Sequence, residues 1–274
     1  MLDAILLFAD ALYGALVIAI ACSTLGVYVV LRRIVFVGAA LAQISSAGIA
    51  LALFLSGIGI GAFGLMRHPV ALALIVTLAG AMVFAGSGRQ RVPPDATIGA
   101  AYAIAAAAGI LLIAKAATGE AHDIFLEGNI LGITRTDTYV LLAIAAPVLI
   151  AHAIFYKEFL FVSFDRETAR TLGYNVTFWN LFLYLTLGLV IAFAMQFAGV
   201  LLVFNFLVLP AVAGLLIARS MRVMFAVAIV ASLIASVVGF SLSVVFDLPT
   251  GPAIIAVSGA LLIIAWLIRI AQQR

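Results

Sequence analysis

Eight stretches of this 274-residue chain run for 19 residues or more without one Asp, Glu, Lys or Arg. They lie between Asp10 and Arg32, Arg33 and Arg67, Arg67 and Arg89, Asp95 and Lys115, Asp137 and Lys157, Arg170 and Arg219, Arg222 and Asp247, and Asp247 and Arg269. Their lengths are 21, 33, 21, 19, 19, 48, 24 and 21 residues. About 20 apolar residues carry a helix across the hydrocarbon core of a bilayer. Seven stretches therefore hold one crossing each. The 48-residue stretch holds two, with a tight reversal expected near Gln196 and Phe197. The fold class that follows is an all-α polytopic membrane protein of about nine transmembrane helices. No linker or composition shift divides residues 1–274, so one domain is expected.

Composition agrees. Charged residues make up 9% and mean hydropathy is +1.34, whereas a soluble domain carries about 25% charge. Such a surface cannot face water on all sides, which excludes a soluble enzyme, a nucleic-acid partner and a disordered chain. The net charge of +3 is too small to attract a polyanion. Cys22, the single cysteine, lies in an apolar run and excludes a disulfide framework or a zinc finger. Asp3 and Asp10 stand where a signal peptide needs basic residues, so the first apolar segment is expected to stay.

Cytoplasmic loops collect Lys and Arg. With nine spans and the N-terminus outside, the cytoplasmic set is Arg32, Arg33, Arg89, Arg91, Lys157, Arg166, Arg170, Arg219, Arg222, Arg269 and Arg274. The external set is Arg67, Lys115 and Arg135, a division of 11 to 3. One pass through the long stretch gives 7 and 7 instead. The bias selects nine spans and a cytoplasmic C-terminus.

Three segments carry more than hydrophobicity. In the second span, Ala39, Gln43, Ser46, Ala47 and Ala50 recur at three- and four-residue intervals and share one helix face. A small, polar face at membrane depth is either a close packing seam or the wall of a polar path. The Gln43 amide needs a partner or water, which favours the protein interior. The second segment, Ser163–Val176, is too charged to span. Ser163 or Asp165 caps a short helix there, Glu167 lies in its first turn and Arg170 near its end, as the helix dipole favours. Ala169 and Gly173, four apart, form a small face that a partner's groove would accept; the alternative is an ordinary interfacial helix. The third segment, Gly119–Gly132, is external. His122, Asp123 and Glu127 are chemically able to touch a divalent cation, but their spacing matches no closed site, and a solvated loop over the membrane face is the simpler reading. His68 and His152 read as isolated polar residues.

Absences narrow the function. Lys115 and Lys157 do not follow glycine, so no phosphate-cradling Gly-Lys-Ser/Thr loop exists and ATP is not hydrolysed by that route. No His-Glu-x-x-His occurs, and no Asp, Glu, Lys or Arg lies deep in a span, which argues against an intramembrane protease or an ion-driven secondary carrier.

At these segments the chain resembles the permease subunits of metal-ion ABC importers of the zinc, manganese and iron class. The matching runs are Arg32–Arg33 with Gly38–Ala50, Phe125–Leu131, Asp165–Gly173, Gly199–Ala211 and Asp247–Pro252, in the family's order and over most of the chain. The resemblance implies a homodimeric permease in a bacterial or archaeal plasma membrane. It implies two cytoplasmic ATPase subunits that hold ATP and Mg, so that this chain itself carries no cofactor and is not an enzyme. It also implies an extracytoplasmic metal-binding solute-binding protein. Asp165, Glu167, Ala169, Arg170 and Gly173 would belong to the coupling helix on the ATPase. Ala39, Gln43, Ser46 and Asn205 would line the translocation path, and His122, Asp123, Glu127 and Asp247 the external gate or docking surface. One departure stands out. The family's second span reads Gly-Asp-x-Leu-x-His, and here the acid and imidazole positions are Ala39 and Gln43. Their role as ligands is therefore not carried over. Either a metal ion passes with weak contacts to Gln43, Ser46 and Asn205, or the cargo is a metal chelate or another small solute. A secondary carrier and a membrane scaffold are the readings outside this class.

Overall fold

A computed structural model describes residues 8–57, 69–86, 93–115 and 130–272. Those residues form ten α-helices and a short 3-10 turn, Ile130–Gly132. The helices are α1 (Ala9–Leu31), α2 (Phe36–Gly57), α3 (Pro69–Gly86), α4 (Pro94–Lys115), α5 (Arg135–Ile154), α6 (Tyr156–Phe164), α7 (Arg166–Thr171), α8 (Val176–Ile217), α9 (Met221–Phe246) and α10 (Thr250–Gln272). Eight of them are long and apolar enough to cross a membrane. Their side chains suit the hydrocarbon, and the helical form lets backbone polar groups bond within their own segment, as a bilayer demands.

Helix α8 runs for 42 residues and is broken at Gly199, whose φ of 70° and ψ of 171° are not helical. Contacts with α1 show what the break does. Before it, the Asn180 carboxamide oxygen accepts from Arg32, just past the end of α1, at 2.7 Å. After it, Ala211 shares a buried cluster with Val27 and Val30, and the Leu207 carbonyl lies against Gly26. A continuous helix would hold residues 180 and 211 about 46 Å apart, yet both meet the last two turns of α1. The chain therefore doubles back at Gly199. The 48-residue uncharged stretch makes two passes, and the described residues make nine. The reversal falls two residues beyond Phe197, where a backbone with positive φ admits glycine without a Cβ penalty.

These contacts define two ends. At one lie Arg32, Ser163, Asn180 and the last turn of α3, with the Asn180 carboxamide donating to the Ala85 carbonyl at 2.7 Å. At the other, Thr138 donates to the Asp10 carbonyl at 3.1 Å, and Ile133 packs against Gly14. Of the ten described Lys and Arg residues, eight lie at or beyond the Arg32 end: Arg32, Arg33, Lys157, Arg166, Arg170, Arg219, Arg222 and Arg269. Lys115 and Arg135 are at the other.

Helix α1 is the axis of the bundle, with 72% of its apolar window buried. It packs against α8, α9 and α5, while α2 packs against α4, α3 and α8. Most of the α4, α5 and α10 windows face outward. Helix starts follow side-chain chemistry. Thr134 and Asp137 form a capping box on α5, and Asn175 caps α8 through the Phe178 N–H. Helix α1 stops through paired bonds from Arg33 N–H to Val30 O and Ile34 N–H to Val29 O, each 3.1 Å. That arrangement needs a left-handed residue, and Arg33 supplies it at φ 58°. The chain then enters α2 at Phe36.

Candidate functional site

The small face of the second span lies on α2. Ala39 and Ser46 are 8% exposed and Ala50 is fully buried, while Gln43 is partly buried. The neighbouring stripe of α2 packs on α8, with Gly38 against Leu207. Asn205 does not join this face. It is two residues from Leu207, and two residues turn a helix by about 200°, so Asn205 points the other way. Its carboxamide donates to Ser258 on α10 at 3.1 Å, and its carbonyl oxygen is buried without a partner among the described residues. Ser45, facing inward beside Ser46, is also buried, its hydroxyl without a partner among the described residues. Among the described residues, no three His, Cys, Asp or Glu side chains come together as a metal site. The chemistry of the face is hydroxyl and amide.

His122, Asp123 and Glu127 lie outside the described residues. Asp247 lies at the end opposite Arg32, exposed, and ends α9 in the left-handed conformation at φ 51°. Asp is among the few residues that adopt this conformation readily. Ser243 secures the turn, donating to the Leu248 carbonyl at 2.6 Å.

The segment that follows α5 is built from the residues up. Asp165 caps α7, accepting from the Glu167 and Thr168 N–H groups at 3.1 and 2.9 Å and from the Thr168 hydroxyl at 2.6 Å. Those bonds, the Thr168 hydroxyl first, hold its carboxyl below the usual carboxylate range. Helix α7 closes with Gly173 N–H to Arg170 O and Tyr174 N–H to Ala169 O, and Gly173 adopts the required φ of 86°. Ala169 and Gly173 therefore do not form a shared docking face. Ala169 is fully buried inside this chain, in a cluster with Val162 and Val176, because α7 is too short to stand without packing on α6 and α8. Gly173 serves the turn. What the segment presents outward is Arg166, Glu167 and Arg170, flanked by exposed Phe164 and Leu172. Charge patterning points to Glu167 and Arg170, and Arg166 enters only through the charge bias. Nothing in the spacing singled out the two apolar residues.

In the sequence Arg32 stands out as a topological charge and as part of the run that resembles the family, not as a partner of distant helices. In the fold its Nε donates to the Ser163 hydroxyl at 2.9 Å and its Nη1 to Asn180 at 2.7 Å. Ser163 in turn donates to the Phe159 carbonyl. Among the described residues, Arg32 Nη2 is buried without a partner. Burial and the nearby Arg166 draw the guanidinium down to about 10, still fully protonated at neutral pH. Beside it a cavity of about 420 Å³ opens between Arg32, Arg33, Pro94, Asp165 and Tyr184. His152 is a core residue: its ring stacks on Phe159 at 4.1 Å, and its Nε2 meets the Thr186 hydroxyl at 3.0 Å. The same hydroxyl lies within bonding distance of the Phe182 and Leu183 carbonyls, and among the described residues His152 Nδ1 has no partner.

A family model described as the ABC 3 transport family matches residues 5–269. The chain belongs to that family. A manganese transport system membrane protein, MntC, of Listeria innocua is 31% identical over 262 residues, covering 94% of this chain and 89% of that protein. A probable iron transport system membrane protein of Haemophilus influenzae is 31% identical over 262 residues, covering 93% and 91%. The solved structure of PsaBC from Streptococcus pneumoniae in complex with Fab superposes with a TM-score of 0.80 at 27% identity, covering 94% of this chain and 90% of that one. The chain is thus a multi-pass membrane permease of the metal-ion ABC importer family, as the resemblance implied.

Proposed function

We propose that this permease moves a divalent transition metal, manganese or iron before zinc, along the α2 face of Ala39, Gln43 and Ser46. The observation that carries the reading is Gln43, a partly buried amide on that face with no hydrogen-bond partner among the described residues, at the family's imidazole position. The names of the Listeria and Haemophilus relatives support the cargo class. A homodimer would place two such faces around one path. A solute-binding protein would deliver the cargo at the Asp247 end, and a pair of ATPase subunits, with their own ATP and Mg, would seat on Asp165–Gly173. The eight-to-two charge division supports a cytoplasmic Arg32 end, an external N-terminus and a cytoplasmic C-terminus. ATP-driven movement of the α6–α7 segment would open the path to one side and then the other. A second reading, a chelated metal as cargo, is favoured by Ala39 and Gln43 themselves, because an amide is a poor ligand for a bare transition-metal ion beside carboxylate or imidazole.

The test is uptake of labelled manganese, iron and zinc, free and chelated, by the complete complex in vesicles. Gln43→Leu should lower uptake with assembly intact. Ala39→Asp with Gln43→His places acid and imidazole at i and i+4, able to share one cation, and should tighten binding of a free metal or change which metal is taken up. If neither variant alters uptake of any form, the face is a packing seam and the proposal fails.

A further inference from the structure

Arg32 joins parts of the molecule that no backbone connection brings together. Its guanidinium reaches Ser163, at the end of α6, and Asn180, in the first turns of α8. Asn180 continues the chain of bonds to the Ala85 carbonyl in the last turn of α3. One side chain at the end of α1 thus ties four helices, across sequence separations of 131 and 148 residues.

Two features make this more than a brace. First, the outer segment is mechanically one piece. Ala169 is fully buried with Val162 and Val176, and the Phe161 and Tyr174 rings meet at 5.4 Å. Helix α7 cannot shift without carrying α6 and the start of α8, and Ser163 and Asn180 move with them. Second, Arg32 stands four residues before Phe36, where α2 begins. The interval is stiff: Arg33 is held left-handed at φ 58°, and Ile34 is bonded back to Val29 and in turn accepts from Val37. A pull on the guanidinium therefore reaches the root of the helix that carries Ala39, Gln43 and Ser46. The fork is also incompletely used, since Nη2 is buried with no partner among the described residues. A buried donor left unsatisfied is costly to the fold, and it leaves a bond to be made when the segment is differently placed.

We infer that Arg32 is a positioning residue that transmits movement of the α6–α7 segment to the base of α2. This rests on the reading of Asp165–Gly173 as the ATPase-facing segment. The experiment compares uptake per ATP hydrolysed in the reconstituted complex of permease, ATPase and binding protein. Arg32→Gln should still co-purify with the ATPase and hydrolyse ATP, while uptake per ATP falls about fivefold or more, the scale of ordinary coupling energies. Asn180→Ala, which removes both the Nη1 acceptor and the link to Ala85, should uncouple in the same way, and the double variant should be no worse than the worse single one. Arg32→Lys, with one donor head in place of a fork, should recover part of the ratio. An unchanged ratio in Arg32→Gln overturns the inference. So does a parallel loss of assembly, hydrolysis and uptake in Asn180→Ala, which marks a brace alone; should Arg32→Gln fail to assemble, Asn180→Ala decides. Leu172→Asp tests the underlying reading separately. If it leaves ATPase binding and transport normal, the segment does not face the ATPase. If it releases the ATPase while Arg32→Gln keeps the wild-type ratio, only the role of Arg32 falls.

Discussion

Replacing Gly26 with alanine adds one methyl group where α1 lies flat against the returning arm of α8. A Cβ there would sit 2.1 Å from the Leu207 carbonyl oxygen and 2.8 and 2.9 Å from the Leu207 carbonyl carbon and Cα. All three are backbone atoms, so no rotamer change relieves the clash. Moving that oxygen from 2.1 Å to ordinary contact at 3.4 Å parts the helices locally by about 1.3 Å, and a gap of about 0.5–1 Å already forfeits a quarter to a half of the dispersion between facing atoms. Overpacking of this kind costs about 1–3 kcal/mol. At roughly 2–4 °C per kcal/mol for a chain of comparable size, the melting temperature in detergent should fall by roughly 2–12 °C. Two controls grade the effect. In Gly38→Ala the nearest obstacle is Leu207 Cδ1 at 2.7 Å, the free end of a side chain that can turn away, so the loss should be smaller. In Gly109→Ala the nearest atom is Ala47 Cα at 3.7 Å, and the better helix former should melt level with or above wild type. Thermal unfolding followed by survival of the monodisperse peak reads all three. If Gly26→Ala melts with Gly109→Ala, α1 and the returning arm do not touch there, and the reversal at Gly199 is wrong.

Cysteines placed at Asp247 and at Arg166, both exposed and at opposite ends, should react with an impermeant maleimide from outside and from the cytoplasm respectively; Cys22 is fully buried and needs no replacement. Labelling at position 166 from outside would refute the orientation. Asp165→Ala removes the acceptor for the Glu167 and Thr168 amides, and hydrogen exchange at those amides should quicken. In the wild type the folded carboxyl lies below its ordinary range, so the cap is in place above that range and is lost as pH falls through the lowered value. Protection of α7, corrected for intrinsic exchange, should hold from neutral pH into mild acid and then decay; identical protection in Asp165→Ala at neutral pH would show that the cap does not hold the helix.

The spans were legible because a bilayer imposes one strong rule, and the uncharged intervals record it. Helix α9, Met221–Phe246, fills the Arg222–Asp247 interval almost end to end. Even the doubling of the long interval was readable, since 48 residues exceed one crossing. Its position was off because the hydropathy of Gln196 and Phe197 carries no turn information; the decisive property is the freedom of Gly199 to take positive φ. The caps were readable too, since Asp165 and the basic end of α7 follow helix electrostatics.

Small residues resisted reading for a different reason. Ala169, Gly173 and Gly26 look alike in a sequence, as places where little side chain is present, yet each is small for its own cause. Ala169 is small because α6 and α8 close over it, Gly173 because its backbone is left-handed, and Gly26 because another helix's carbonyl occupies the space of a Cβ. Spacing at i and i+4 cannot separate these cases, because it reports a shared face and says nothing of what lies opposite. The same limit hid the network at the end of α1. Arg32 and Arg33 are adjacent, identical and equally useful to the charge bias, but Arg33 is exposed and fixes a turn, whereas Arg32 turns inward to partners more than 130 residues away. A charge at a membrane boundary satisfies the topological rule whichever way its side chain points. Its second role is decided by which helix ends meet it, and only the three-dimensional packing of α6 and α8 against α1, with α3 joined through Asn180, supplies that.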